Sequence, residues 1–253
     1  MARSIYLFLL SLAYRMGFIS IYKIPVVINN FNRLTYPLQL LEFLEHCGFT
    51  NIIVLDNNST YPPLLEFYET TRYKVIREKK NHGHLALWRS GLYHRYKWNY
   101  FVYTDPDVVP INECPENFIE YFKSILDEYY SRDKVGFGIR IDDLPDSFTH
   151  KEEIVRFEKR YWGKEVKPGI YDAPIDTTFA LYKPFSNLKA EETYTLPAFR
   201  FGFPYLIKHL PWYIDSKNLS AEENYYLQTC NTSSSIGKLD GDNAVYGKTP
   251  DTL

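Results

Sequence analysis

Between residues 24 and 104 the chain alternates short apolar runs with segments of helical periodicity, and this alternation constrains its fold more than any other feature. The runs are rich in β-branched or aromatic residues and cover 24–28, 51–55, 73–76 and 100–104. Helices are predicted between them, one capped by Thr35 and stopped by Gly48, the others over 64–70 and 84–96. Strands alternating with helices predict a parallel α/β sheet with all strand C-termini at one edge.

Polar residues follow three of these strands, at the edge where ligands of open α/β sheets bind. They are Asn29-Asn30-Phe31-Asn32, Asp56-Asn57-Asn58-Ser59 and Asp105-Pro106-Asp107. Two carboxylates spaced as in Asp105 and Asp107 can face one hard cation, which could offset charge on a leaving phosphate. A surface Asp-Pro turn is the alternative interpretation.

Two further motifs favour a nucleotide at this edge. The carboxylate of Asp56 could accept hydrogen bonds from a ribose or a base, although an Asx turn within 56–58 would use the same atoms. Asn81-His82-Gly83 opens the predicted third helix, where Gly83 allows close backbone approach and a helix N-terminus favours anions. A P-loop lysine and a G-x-G-x-x-G fingerprint are both absent from the sequence.

The second half of the chain is less regular. Helices are predicted over 118–130 and 151–161, strands over 135–141 and 177–182, and a loop or disorder from 229 onward. The expected organisation is an N-terminal helix (1–23), one domain (24–228, with halves 24–110 and 111–228) and a flexible tail (229–253). An aromatic cluster could stack on sugars or pack in the core; its members are Phe199, Phe201, Phe203, Tyr205, Trp212 and Tyr213.

Composition narrows the class of partner and compartment. Lys and Arg number 29 against 31 Asp and Glu, and this near-neutral charge argues against nucleic acid as the main partner. Three widely spaced cysteines favour a reducing, cytoplasmic compartment. The apolar run 5–14, between Arg3 and Arg15, is too short to span a bilayer. A docked helix fits it best, with peripheral membrane contact and a signal peptide as alternatives.

Taken in order, these motifs resemble GT-A fold glycosyltransferases, and most of all the family 2 type. The resemblance covers about residues 24–110 well and the rest loosely. It implies a Rossmann-like, mostly parallel sheet flanked by helices, with a C-terminal acceptor-side region. It places the donor nucleotide against the loops bearing Asn29, Asn30, Asn81 and Gly83, with Asp56 on the nucleoside and Asp105 at the ribose and metal. Asp107 would bind Mn²⁺ or Mg²⁺, and His209 would be the late histidine ligand; a histidine packed among aromatic residues is its alternative.

The sequence departs from that family at the catalytic base, because it has no clean copy of the usual Glu-Asp pair. An inverting transfer needs a carboxylate to accept the proton of the acceptor hydroxyl. Asp176 is the leading candidate, Asp142 and Asp143 come next, and Glu191 and Glu192 come last.

The resemblance therefore implies a metal-dependent, inverting transferase that uses a UDP-, GDP- or dTDP-linked sugar. Its acceptor would be an oligosaccharide or a lipid-linked glycan in surface polysaccharide or glycoconjugate synthesis. A binding protein that has lost catalysis is the alternative. A sugar-nucleotide pyrophosphorylase is disfavoured, because residues 29–33 lack the Gly-rich loop with Arg and Lys that it needs.

Overall fold

A computed structural model describes residues 2–230, which form one sheet with helices on both faces. The strands are β1 Val26–Asn30, β2 Ile52–Asp56, β3 Lys74–Arg77, β4 Phe101–Thr104, β5 Val108–Pro110, β6 Lys134–Ile139, β7 Glu165–Lys167, β8 Ile170–Tyr171, β9 Ala180–Tyr182 and β10 Ala198–His209. The helices are α1 Ala2–Arg15, α2 Thr35–His46, α3 Pro62–Thr70, α4 Ala86–Arg89, α5 Tyr93–Tyr96, α6 Phe118–Glu128, α7 Lys151–Lys159 and α8 Ala221–Thr229.

The sheet order is β3-β2-β1-β4-β9-β6-β10-β8-β7, with β5 paired to β10. The strands β3, β2, β1 and β4 are mutually parallel, as are β6 and β10. Between these two groups lies β9, which is antiparallel to β4 and to β6, so β4 and β6 run in the same direction. The predicted α/β class, a mostly parallel sheet flanked by helices, is confirmed. The strands β1, β2, β4 and β6 all end at one edge, called here the carboxyl edge.

The apolar runs of the sequence form strands in the interior of the sheet. The strands β1, β2 and β4 are buried along their whole length, because helices cover both faces of the sheet. One face packs Ile28 against Leu40 and Phe118, and the other packs Val27 against Trp88 and Tyr103. The strands predicted from those runs are confirmed.

The predicted aromatic cluster is divided between core and surface. Phe199 and Phe201 are core residues, and the Phe201 ring lies 4.5 Å from that of Phe122. Phe203 is 67% exposed. Core packing is therefore the correct interpretation for Phe199 and Phe201.

Several predicted elements have different bounds. The helix expected over 84–96 is broken into α4 and α5 at Ser90-Gly91, where Gly91 has a φ of +79°. The strand expected over 177–182 begins only at Ala180, and the backbone oxygen of Thr177 before it accepts a hydrogen bond from Asp105 N at 3.0 Å. The tail expected over 229–253 overlaps α8, which includes Thr229; residues 231–253 lie outside the described part.

The N-terminal helix α1 is docked on the domain. The Tyr14 hydroxyl donates to Asn99 Oδ1 at 2.8 Å, and Ser11 Oγ donates to Asp127 at 2.6 Å. Within residues 2–230, no helix is both long and apolar enough to cross a membrane.

Candidate functional site

Asp105 lies half-buried in the wall of the site, directly after β4. Thr177 Oγ1 donates a hydrogen bond to its carboxylate at 2.7 Å, and Asp105 N donates to the carbonyl of Thr177. Burial raises the pKa of Asp105 well above its usual range, and the charge of Asp107 raises it further. The two carboxylates repel each other, so this pair favours a cation beside it.

Asp107 meets His209 because β5 pairs with β10. Val108 lies opposite His209 in that register, and Leu210 N donates to the carbonyl of Asp107 at 2.8 Å. His209 Nε2 lies 3.8 Å from Asp107 Oδ1, and the Trp212 ring centroid is 4.5 Å from that of the imidazole. The structure therefore brings together two predicted metal ligands from distant parts of the sequence.

These residues fit a divalent ion. Burial lowers the pKa of His209, which favours the neutral imidazole that ligates metals. The buried Nδ1 of His209 has no hydrogen-bond partner among the described residues. A separation of 3.8 Å is too long for a hydrogen bond but suits two ligands of one ion, each about 2.0–2.2 Å away. When bound, such an ion supplies positive charge that stabilises a departing diphosphate.

The described residues do not form a complete metal cage. No cluster of three or more His, Cys, Asp or Glu side chains with metal-binding geometry occurs within 2–230. An ion held by Asp107 and His209 therefore requires further oxygen ligands, which diphosphate oxygens and water can supply.

An amide network joins the end of β1 to the loops after β2 and β3. Asn57 Nδ2 donates to Asn81 Oδ1 at 2.9 Å and to the carbonyl of Gly83 at 3.0 Å. Asn81 Oδ1 also accepts from Gly83 N at 2.8 Å, and Asn29 Nδ2 donates to the Gly83 carbonyl at 3.3 Å. Predicted residues 29, 81 and 83 thus meet at the carboxyl edge. Asn57, which sequence reasoning did not select, links them; its place directly after Asp56 was the available signal.

Asp56 is buried, and its carboxylate is already engaged. It accepts hydrogen bonds from Ser59 N at 3.2 Å and from the Tyr68 hydroxyl at 3.3 Å, while Arg77 Nε is 3.7 Å away. Burial raises the pKa of Asp56, opposed by these hydrogen bonds and by Arg77. The carboxylate thus bonds the local backbone, as the alternative role predicted, but its donor is Ser59 N, one residue beyond the turn expected within 56–58.

Asn30 lies in the same buried group. Its Nδ2 donates to the Tyr68 hydroxyl at 2.9 Å and to the Arg33 carbonyl at 2.8 Å. Its Oδ1, like that of Asn29, has no partner among the described residues. Two buried amide oxygens at the carboxyl edge are thus left without a donor.

Among the candidate bases, Asp176 lies nearest to Asp105. It is exposed, and it immediately precedes the Thr177 that bonds Asp105. Its Oδ1 accepts one hydrogen bond, from Thr193 Oγ1 at 3.2 Å. This arrangement leaves carboxylate lone pairs open to a substrate beside the acidic pair.

Three of the other candidate acids, Asp142, Asp143 and Glu192, lie beside basic side chains. Asp143 accepts from the Tyr213 hydroxyl at 2.5 Å and lies 3.2 Å from Lys208 Nζ. Burial by itself would raise the pKa of Asp143, but these partners outweigh that effect and lower the pKa. Asp142 lies 2.9 Å from Arg140 Nε with its side chain 74% exposed. Glu192 lies 2.5 Å from His84 Nε2, whereas the backbone of Glu191 is bonded to the Asn187 side chain.

A buried lysine, Lys134, is bonded to the backbone of the segment that contains Asp176, and sequence reasoning did not select it. Lys134 Nζ donates to the carbonyls of Ile175 and, at 3.2 Å, of Asp176. Burial lowers the pKa of Lys134 to about 7, opposed first by the charge of Asp176. A lone charged residue at the start of the apolar run 134–139 was the only sequence signal.

The helix α8 covers the loop after β1. Glu222 accepts hydrogen bonds from Leu34 N at 3.1 Å and Thr35 Oγ1 at 2.9 Å, and the Tyr226 ring lies 3.7 Å from the Arg33 guanidinium carbon. Arg33 is buried, and its Nε and Nη1 have no hydrogen-bond partner among the described residues. A cation therefore lies beneath α8, close enough for its charge to contribute to the lowered pKa of His209.

Comparison with known proteins gives similarity at the level of solved structures. No protein-family model matches the chain, and no curated protein matches it. The S. aureus TarS 1-349 structure is 15% identical with a TM-score of 0.45, over 74% of this chain and 60% of that one. GalNAc-T7 with UDP, GalNAc and Mn²⁺ is 12% identical with a TM-score of 0.48, over 74% and 43%. HddC from Yersinia pseudotuberculosis is 15% identical with a TM-score of 0.44, over 70% and 89%.

The chain thus spans less than two thirds of the TarS and GalNAc-T7 chains that it resembles. At these identities the similarity concerns the fold alone. The chemistry of the site rests on this chain's own residues.

Proposed function

We propose that this protein is a GT-A type glycosyltransferase that moves a sugar from a nucleotide-sugar donor to a glycan acceptor with the help of Mn²⁺ or Mg²⁺. The observation that carries the proposal is the position of Asp107 beside His209, close to the half-buried Asp105 at the carboxyl edge. One ligand directly before β5, one at the end of β10 and an adjacent acid suit an ion whose coordination a donor diphosphate completes.

Each neighbouring group has a role in this proposal. The loops joined by Asn29, Asn57, Asn81 and Gly83 receive the nucleoside, since they share the edge with Asp105. Asp176 accepts the proton of the acceptor hydroxyl, because it is exposed beside Asp105 and its carboxylate has no cationic hydrogen-bond partner among the described residues. Lys134 contacts its backbone carbonyl instead. Transfer with inversion follows if Asp176 acts from the side opposite the leaving diphosphate.

Asp107→Ala tests the metal assignment. A nucleoside diphosphate with Mn²⁺ should raise the melting temperature of the wild type, because a ligand that binds the native state stabilises it. We expect Asp107→Ala to lose the Mn²⁺-dependent part of that shift for UDP, GDP and dTDP alike. Asp146→Asn, which changes an acid 97% exposed in its side chain, is the matched control and should keep it.

An unchanged Mn²⁺-dependent shift in Asp107→Ala would exclude the proposed ion site. Mn²⁺-dependent hydrolysis of the donor in the absence of acceptor separates a transferase from a protein that only binds nucleotide. A protein that shows the shift but never cleaves any of the three donor classes would be a binder.

A further inference from the structure

The helix α1 exposes an apolar stripe to solvent. Its members are 38–63% exposed and recur at helical spacing; they are Ile5, Phe8, Leu9 and Leu12, continued by Met16 directly after the helix. Phe18, just beyond the helix, is 77% exposed. A contiguous apolar surface of this kind marks an interaction site, because isolated exposed apolar residues do not line up along one helix face.

The opposite side of α1 is fixed to the domain, so the stripe faces outward in the folded protein. The Tyr6 hydroxyl donates to the Trp98 carbonyl, and Tyr14 is buried against Tyr100 with ring centroids 5.7 Å apart. Exposure of the stripe is therefore a property of the docked helix and not of a detached one.

The charges around the stripe are those that attract an anionic surface. Residues 2–18 contain no Asp or Glu, and exposed Arg15 ends α1. Arg3, at the other end, is directed to the domain, where its Nη2 donates to the Pro184 carbonyl at 3.5 Å. Trp98, which is 55% exposed, packs beside Tyr6, and Lys97 Nζ lies 5.7 Å from the Trp98 ring centroid. Basic and indole groups bordering an apolar helix face are typical of helices that lie in the headgroup region of a bilayer.

A cavity of about 110 Å³ opens beside the stripe. Its walls include Phe8, Leu12 and Tyr130, with the cations Arg15 and Lys183 and the carboxylate Asp127. That carboxylate is already bonded to Lys123 Nζ at 2.6 Å. The surface thus presents apolar and cationic groups together, which is the combination that a phospholipid requires.

We propose that α1 binds in the plane of an anionic phospholipid bilayer. Its apolar stripe enters the boundary between headgroups and acyl chains, and Arg15 contacts lipid phosphates. The driving force is burial of the stripe, to which attraction between basic residues and the anionic surface adds.

The docking also sets the orientation of the site. Three groups hold α1: Trp98 just before β4, Phe185 just after β9 and Asp127 at the end of α6. All three lie at the edge of the sheet opposite the carboxyl edge. From Tyr100 to Asp105 the strand advances about 17 Å, at roughly 3.3 Å per residue. The carboxyl edge consequently faces away from the bilayer, and an acceptor is reached above the membrane surface.

Flotation with phosphatidylcholine vesicles, with and without about one third phosphatidylglycerol, tests the proposal without any assay of activity. The wild type should bind the anionic vesicles, and Phe8→Glu/Leu9→Glu should bind them about tenfold more weakly or less, because the buried apolar area is lost and acids are added. The matched control Leu38→Glu/Val166→Glu makes the same change at exposed sites outside α1 and should bind like the wild type. Circular dichroism establishes that both variants are folded.

Quenching by brominated lipids locates the contact. Trp98 fluorescence should be quenched on anionic vesicles, and Trp98→Phe should abolish that quenching while Trp88, Trp162 and Trp212 stay unaffected. Absence of wild-type flotation, equal flotation of the stripe variant, or quenching that survives Trp98→Phe would each overturn the proposal. So would a wild-type dimer in lipid-free solution that the stripe variant converts to monomer, since a second copy would then cover the stripe.

Discussion

At the scale of single residues, Asp176 is the group whose chemistry can be isolated most cleanly. Asp176→Asn keeps the shape and the acceptor for Thr193 Oγ1 but cannot take up a proton. We expect transfer to fall by about 10²–10⁴-fold, the usual contribution of general base catalysis. Donor affinity should barely change, and both quantities are to be measured on the same variant.

Asp142→Asn is the matched control, because it neutralises an exposed acid on the same edge of the sheet. It should keep the wild-type transfer rate. If Asp176→Asn loses donor affinity together with rate, Asp176 binds the donor; if it loses neither, the proton acceptor is Asp142 or Asp143.

Lys134 predicts a pH dependence of stability. The pKa of its ammonium is about 7 in the folded protein against a reference value of 10.5, so between these values the unfolded chain holds a proton that the folded chain has released. Stability therefore rises with pH across this window, by about 1.4 kcal/mol per pH unit, and falls toward pH 7.

Urea unfolding of the wild type and of Lys134→Met at pH 7.5 and 9.0 measures this contribution. The free energy of unfolding of the wild type minus that of the variant should increase by about 2 kcal/mol between the two pH values. Parallel profiles would show that Lys134 stays charged in the folded protein.

At the scale of elements, a side chain of α8 caps the N-terminus of α2, which lies 187–188 residues earlier in the sequence. The Glu222 carboxylate accepts from the backbone N–H groups of Leu34 and Thr35, where α2 has no capping hydrogen bond from its own N-cap side chain. Because the carboxylate also lies at the positive end of α2, we expect Glu222→Ala to lower the free energy of unfolding by about 1–2 kcal/mol.

Glu222→Gln separates the two parts of that effect. It keeps a side-chain oxygen for the backbone N–H groups but removes the charge, so its cost should be smaller than that of Glu222→Ala. Urea unfolding gives both values, and an alanine variant as stable as the wild type would mean that α8 contributes nothing to α2.

At the scale of the whole molecule, the halves 24–110 and 111–228 share one sheet and should unfold together. The first-half strands β4 and β5 pair with second-half strands β9 and β10. In Trp162→Phe/Trp212→Phe, the remaining Trp88 and Trp98 report on the first half. In Trp88→Phe/Trp98→Phe, the remaining Trp162 and Trp212 report on the second half. We expect their fluorescence midpoints in urea to coincide within each variant with the midpoint by circular dichroism. Fluorescence and circular dichroism midpoints that separate would show independent halves.

The sequence alone determined the elements whose pattern is local. Runs such as 24–28 and 51–55 are uniformly apolar because their strands are covered on both faces, and that pattern needs no knowledge of partners. The positions of Asp56, Asp105 and Asp107 at the carboxyl edge follow from parallel topology in the same way. The strand β10 was not predicted, because Gly202 and Pro204 interrupt its pattern and its register shifts between Phe201 and Leu206.

Only the tertiary structure showed the surroundings of each candidate acid and how His209 comes close to Asp107. Asp143 and Asp176 look alike in the sequence. In the structure, Asp143 contacts Lys208 of β10 and Tyr213 of the segment after it. Asp176, in contrast, is exposed beside Asp105. His209 reaches Asp107 through the pairing of β10 with β5. Contacts between residues that are far apart in the chain depend on strand order and register, and these are set by packing of the whole sheet and not by any local run of residues.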